Sequence, residues 1–185
     1  MDNLTSPKIL DVGCGEGELP EKIAKTGYLV TALDAREIKK YIGKGNPKFV
    51  KADILKFSSN EKFDYITAIS TIEHIGLAGR YGQTKVFDGD IKAMEKIKSL
   101  LKKNGKFILT IPVGKDTVVG NLHRVYGKER LPLLFSGWKV EKESFWIKED
   151  GEWIEVNKER ALEEEPTENP PYYALGLFVL KNKND

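Results

Sequence analysis

The stretch Ile9-Leu10-Asp11-Val12-Gly13-Cys14-Gly15-Glu16-Gly17-Glu18-Leu19-Pro20 constrains the fold more than any other part of the chain. A short aliphatic run ends in an acidic residue, and glycine then recurs at every second position. Aliphatic and β-branched residues suit a buried strand. Glycine reaches positive φ freely and lets a ligand approach the backbone. Pro20 is tolerated in the first turn of the helix that should follow. Strand, glycine loop and helix N-terminus together form a nucleotide-type site, with backbone N–H groups aimed outward.

The dinucleotide fingerprint requires G-x-G-x-x-G. Here the third glycine comes one residue early, and Glu18 stands in its place. Asp11, Glu16 and Glu18 also crowd the loop with negative charge, which repels a pyrophosphate and suits a ligand carrying a sulfonium and an ammonium. The stretch resembles motif I of the class I S-adenosylmethionine-dependent methyltransferases, whose acidic-x-G-x-G-x-G pattern reads here as Asp11, Gly13, Gly15 and Gly17. The resemblance implies S-adenosyl-L-methionine as cofactor, held by these residues and by Cys14 between them. Cys14 itself reads as a small residue fitted into a turn rather than as a nucleophile.

The rest of the chain is consistent with that resemblance. At 185 residues it should form one domain, 1–185, with a substantial core. A net charge of +2 gives no reason to invoke nucleic acid or a membrane surface. Cys14 is the single cysteine, so no intrachain disulfide forms and a reducing, cytoplasmic setting is expected. The first eight residues are short and polar, unlike a signal peptide. No apolar run is long enough to span a bilayer.

Periodicity predicts strands beginning near Lys8 and over Tyr28–Leu33, Lys48–Ala52, Phe63–Ile69 and Lys106–Ile111. It predicts helices over Glu18–Lys25, Arg36–Ile42, Ile91–Lys103 and Lys128–Phe135. A sixth strand starts at Trp138 and reaches toward Ile147, and a hairpin or insertion surrounds Asp150-Gly151. Glu163–Pro171 reads as an acidic surface loop, and Tyr172–Leu180 as the last strand. Alternating strands and helices argue for a parallel sheet with helices on both faces. The last two strands, joined through a loop, argue for an antiparallel pair at one edge. This resembles the Rossmann-like α/β class I methyltransferase arrangement, which implies a mostly parallel, seven-stranded sheet with an antiparallel last strand. Members usually carry helices before the first strand that help cover the cofactor. Only seven residues precede Lys8 here, so either another segment covers the site or the chain is part of a longer one.

In open α/β sheets ligands lie at the carboxyl ends of the strands, at the switch in strand order. Asp34 ends the second strand, 21 residues after Gly13, where an acidic residue accepts hydrogen bonds from ribose hydroxyls. The resemblance adds Ala35 beside it. It implies that Asp53 contacts the adenine amino group, that Ile54 packs on the ring, and that Ser70 offers backbone contacts to the methionine part. Each aspartate taken alone also suits a helix N-cap.

Two histidines, His74 and His123, follow the fourth and fifth strands. Methyl transfer from a sulfonium is an in-line displacement, so the protein mainly positions the acceptor. A hydroxyl acceptor benefits from a general base, and imidazole titrates near neutrality. His123 is the first candidate and His74 the second, because the Glu73-His74 pair more often shapes the cofactor pocket in small-molecule methyltransferases. Either histidine also fits a purely structural bond to a loop backbone. No metal is expected.

Only five of the 30 basic residues are arginines, which gives arginine a prior for geometric tasks. Arg80 with Tyr81, Arg124 and Arg130 fall in or beside the two long loops, Ile75–Asp90 and Val113–Tyr126. They suggest a polyhydroxylated or anionic acceptor, or else loop bracing against Asp88 and Asp90. The segments Ile72–Leu77, Arg80–Gly82, Asp88–Asp90 and His123–Gly127 look like those of a small methyltransferase-like family of unassigned function, some of whose members are associated with glycan biosynthesis. That resemblance implies a glycan or other small-molecule acceptor lined by Glu73, Arg80, Tyr81, Arg124 and Tyr126. Two rivals stand beside it. Tyr81 and Lys85 spell the Y-x-x-x-K of short-chain dehydrogenases, but Gly76, Gly79 and Gly82 argue against the helix that chemistry needs. A cofactor-binding protein or subunit without catalysis is the other.

Overall fold

The computed structural model describes residues 6–43, 45–78, 85–168 and 171–184. The chain enters through Lys8–Val12 (β1), and the glycine loop leads into Leu19–Lys25 (α1). Leu29–Asp34 (β2) and Lys48–Lys51 (β3) follow, separated by a 3₁₀ turn at Lys39–Tyr41. Phe63–Ile69 (β4) ends in a second 3₁₀ turn, Ile72–His74. Gly89–Leu100 (α2) runs directly into Leu101–Val113 (β5). A small hairpin, Thr117–Val119 (β6) and His123–Val125 (β7), precedes Arg130–Leu134 (α3). The chain closes with Trp138–Glu149 (β8), Glu152–Val156 (β9), Lys158–Glu163 (α4) and Ala174–Asn182 (β10).

One eight-stranded sheet carries the order β3-β2-β1-β4-β5-β10-β8-β9. β3, β2, β1, β4 and β5 pair in parallel, whereas β10 runs antiparallel to β5 and to β8. The chain winds outward from β1 through β2 to β3, then returns to the other side of β1 with β4. The switch in strand order therefore falls between β1 and β4, and the carboxyl ends of β1, β2 and β4 open on one edge.

The main core lies on one sheet face. Leu10, Val12, Ile66, Ala68, Phe107, Leu109 and Ile111 point there and meet Met94 and Ile97 of α2, Leu131 and Leu134 of α3, and Leu162 of α4. Among the described residues, α1 and the 3₁₀ turn at Lys39–Tyr41 serve the opposite face, where Cys14, Ala32, Ile38 and Tyr41 form a separate cluster. Over β4 and β5 that face leaves Ile69 and Ile108 exposed. No helix of the described residues is long and apolar enough to cross a membrane.

Several expectations need correction. The antiparallel pair of β8 and β10 forms, with β10 between β5 and β8, but β9 lies outside it, so the β8–β9 hairpin forms the edge and the sheet has eight strands rather than seven. The expected helix at Arg36–Ile42 is a single 3₁₀ turn. The strand after α2 begins at Leu101, because Leu101 pairs with Phe63 before the register shifts to Tyr65 and Lys106. The acidic loop beginning at Glu163 is preceded by the unforeseen helix α4, capped by Asn157, whose side-chain oxygen accepts the Arg160 N–H at 2.8 Å.

Candidate functional site

Val12, Gly13, Leu33, Asp34, Ala35, Asp53, Ile54, Ser70, Thr71 and His74 are among the residues that line one cleft at the carboxyl edge, about 590 Å³ including its open mouth. Gly13 and Cys14 are anchored by their N–H groups to the Leu33 carbonyl, at 2.8 and 3.1 Å. Gly13 adopts φ of 74° and packs so closely on Thr71 that an added Cβ would lie 2.3 Å from its Cγ2. This contact joins the glycine loop to the turn after β4. Ser70 holds φ of 48°, a left-handed conformation that costs a non-glycine residue energy, and its N–H is fixed by the Thr110 carbonyl at 3.0 Å.

Asp34 is 5% exposed and is the most densely bonded carboxylate of the cleft. Its Oδ1 accepts the Arg36 backbone N–H at 2.9 Å and Arg36 Nε at 3.0 Å. Its Oδ2 accepts the Gly15 N–H at 3.0 Å and an Arg36 terminal nitrogen at 3.1 Å. Burial pushes its carboxyl upward, but the bonds from Arg36 and Gly15 together outweigh burial and hold it below the usual range. Asp53 combines two roles. It lines the cleft, and its Oδ1 also accepts the Leu55 N–H at 2.9 Å, stabilising its own turn. Ile54 is buried beside it.

The remaining motif residues act from behind. Asp11 is buried and accepts the Thr67 hydroxyl. Burial, opposed by that bond and reinforced by Asp34, pushes Asp11 up to about 6. Cys14 points into the Ala32–Ile38–Tyr41 cluster, and burial aided by Asp11 and Asp34 pushes its thiol up to about 12, which removes it as a nucleophile. The Gly17 carbonyl accepts the Tyr41 hydroxyl, so the 3₁₀ turn pins the far end of the glycine loop.

On the chemistry side the structure separates the two histidines. His74 lines the cleft, and its Nδ1 lies 2.6 Å from the Leu122 carbonyl. A carbonyl only accepts, so Nδ1 is the donor in that contact, and in the neutral ring Nε2 is then the acceptor nitrogen. The Glu73 carboxylate, 2% exposed, stands 3.8 Å from Nε2. His123 stands behind, with its ring 6.1 Å from His74 and 5.6 Å from Tyr173.

Three residues expected to line an acceptor site are buried instead. Glu73 sits beneath His74. Arg124 donates to the Ile75 carbonyl at 2.7 Å, and its Nε lies 3.6 Å from Asp90. Tyr126 is fully buried and donates to Asp90 at 3.1 Å. Arg130 completes this cluster, forking onto Asp90 at 2.7 and 3.0 Å and reaching Asp88 at 3.0 Å. Bracing is therefore what Arg124 and Arg130 do. Arg80 and Tyr81 lie outside the described residues. Arg36 and Thr71 were missed. The scarcity of arginine is the sequence signal that could have found Arg36.

The cleft suits an adenosyl group. Two carboxylates flank it, and Val12, Leu33 and Ile54 supply an apolar wall. Parallel strands ordered around that switch point, with an antiparallel β10 beside β5, define the class I S-adenosylmethionine-dependent methyltransferase fold. Within it, the chain belongs to the family described as "Caenorhabditis protein of unknown function, DUF268", whose model matches residues 47–177. Among solved structures, an S-adenosylmethionine-dependent methyltransferase from Clostridium acetobutylicum ATCC 824 superposes with a TM-score of 0.62 at 16% identity, over 97% of this chain and 85% of that one. The N-methyltransferase NodS from Bradyrhizobium japonicum WM9, bound to S-adenosyl-l-homocysteine, gives 0.60 at 16% identity over 95% and 78%. A curated relative, a ubiquinone biosynthesis O-methyltransferase of Pelagibacter ubique (strain HTCC1062), is 34% identical over 149 residues, 74% of this chain and 55% of that protein. The chain spans about half of that relative's length, and 32% of its counterpart from Rickettsia akari (strain Hartford).

Proposed function

We propose that this protein is an S-adenosylmethionine-dependent O-methyltransferase acting on a hydroxyl of a sugar or another small polar molecule. The observation that carries the reading is the joint placement of Asp34, Asp53 and His74 on one cleft beside the glycine loop. When bound, S-adenosylmethionine supplies an electrophilic methyl group on a sulfonium. Asp34 and Asp53 orient the adenosyl part, and Ile54 packs against it. His74 supplies the base: with its hydrogen fixed on Nδ1 by Leu122, Nε2 accepts the proton of the acceptor hydroxyl. Glu73 then faces the imidazolium and stabilises it. His74 is favoured over His123 because His74 is the histidine on the cleft wall.

The O-methyltransferase names of the curated relatives support an oxygen acceptor. Of the arginines expected to recognise an anion, Arg124 and Arg130 are committed to Asp90 instead. The lone Cys14 is consistent with a cytoplasmic setting.

The test is transfer from methyl-labelled S-adenosylmethionine to fractionated cell extract. Label is expected in a small molecule as an ether that survives mild base. Label confined to protein or nucleic acid overturns the acceptor class. His74→Ala should lower kcat by on the order of 10²–10⁴ with little change in cofactor affinity. An unchanged rate removes His74 as the base.

A further inference from the structure

Arg36 holds Asp34 in an arrangement that bears on how the cleft takes its ligand. Each Asp34 oxygen accepts one backbone N–H and one guanidinium N–H. The two backbone donors, from Gly15 and Arg36, are fixtures of the β2 turn and the glycine loop. The two remaining acceptor positions, one on each oxygen, are filled by a single two-pronged donor, the Arg36 fork. A ribose 2′,3′-diol is also a two-pronged donor, and it needs those same two positions. Four donors already saturate the carboxylate, so no third prong fits beside the guanidinium. Arg36 can nevertheless move. Its side chain is 46% exposed, whereas Asp34 is 5% exposed.

We propose that Arg36 competes with the cofactor ribose for Asp34, and thereby limits the affinity and entry rate of the cofactor. The proposal rests on reading the cleft as an S-adenosylmethionine site. When the fork swings outward, the Gly15 and Arg36 backbone donors stay on the carboxylate, so Asp34 keeps one fixed donor on each oxygen throughout the exchange. The apparent affinity is the intrinsic affinity multiplied by the fraction of molecules in which the fork is off, and removing the fork removes that penalty.

The test measures S-adenosylhomocysteine binding by isothermal titration and stopped-flow fluorescence, with the wild-type chain and Arg36→Met. S-adenosylhomocysteine has no net charge, so salt acts on the ion pair and not on the ligand. Arg36→Met should bind on the order of tenfold tighter, mostly through faster association. Raising salt from ~0.1 M to ~0.5 M should speed association of the wild type and leave Arg36→Met unchanged. Arg36→Lys, a point cation instead of a fork, should fall between them. Equal or weaker binding by Arg36→Met, with its circular dichroism intact, overturns the competition and makes Arg36 a ligand-holding residue. Failure of both folded proteins to bind overturns the cofactor reading, and the competition with it.

Discussion

Gly15 is the residue at which backbone conformation and charge meet. Its φ is 53°, its N–H donates to Asp34, and a Cβ placed on it would stand 3.7 Å from an Arg36 terminal nitrogen, with no contact closer than that. Valine there carries a left-handed penalty of roughly 1–2 kcal/mol or more, and its branches project toward the Asp34–Arg36 pair. Gly15→Val should therefore abolish S-adenosylhomocysteine binding while lowering Tm by only about 4 °C. Equilibrium dialysis beside a thermal melt checks this, and normal binding by the variant would remove the glycine loop from the site. Gly13 is not a clean substitute, because its Cβ would collide with Thr71 and disturb the packing itself. At this scale the glycine loop was legible from one contiguous stretch, and the places of Asp34 and Asp53 on the cleft from their positions after the second and third strands. Which of His74 and His123 lines the cleft was not. It depends on which ring reaches the cleft and which carbonyl orients it, and Leu122 lies 48 residues from His74.

Asp90 shows the same separation between elements. It opens α2 and is fully buried, yet it is bonded by Tyr126 and Arg130 and faced by Arg124 at 3.6 Å. The loop from β4 to α2 closes just before it, where Gly76 and Gly89 meet so tightly that a Cβ on Gly76 would lie 2.5 Å from the Val86 carbonyl oxygen. The motif segments around His74, Asp88 and Arg124 are thus one brace behind the His74 wall. Asp90→Ala should destabilise the protein by about 3–5 kcal/mol, because it leaves Arg124 buried without its carboxylate. Arg130→Ala should lose less, since its side chain is 27% exposed. Urea unfolding of both variants and of the double variant measures the coupling. Sequence showed the charges but left bracing and substrate binding open, since only tertiary packing decides between them. Among the elements, the β8–β9 hairpin was legible from Asp150-Gly151, whose φ values of 49° and 89° fit a turn that only such residues adopt readily. The end of α2 was not. Leu101-Lys102-Lys103 has good helical propensity, and pairing of Leu101 with Phe63 and of Lys102 with Asp64 at 2.9 Å overrides it.

Across the whole molecule, the sheet divides a sealed face from a functional edge, and Asp11 lies where the two meet. It sits in the central strand, buried, with the Thr67 hydroxyl as donor and the ionised Asp34 nearby. Its folded carboxyl titrates at about 6, against 3.8 for the ordinary value. A raised carboxyl has a definite sign. Between those two values the folded state binds more protons than the unfolded one, so this group's contribution makes the protein more stable as pH falls from about 6 toward 4. Above about 6 both states are ionised, and the fold carries the full cost of the buried charge, on the order of 3 kcal/mol. Asp34, held low, acts in the opposite sense, so the wild-type curve alone cannot isolate Asp11. The difference curve can. Asp11→Asn keeps an acceptor for Thr67 and removes the charge, so it should stabilise the protein most at pH 7.5. The gain should shrink steadily below pH 6 and vanish near pH 4. Urea titrations of the two proteins at several pH values measure it, and a difference that grows on acidification would place Asp11 in a site that stabilises its charge rather than one that resists it.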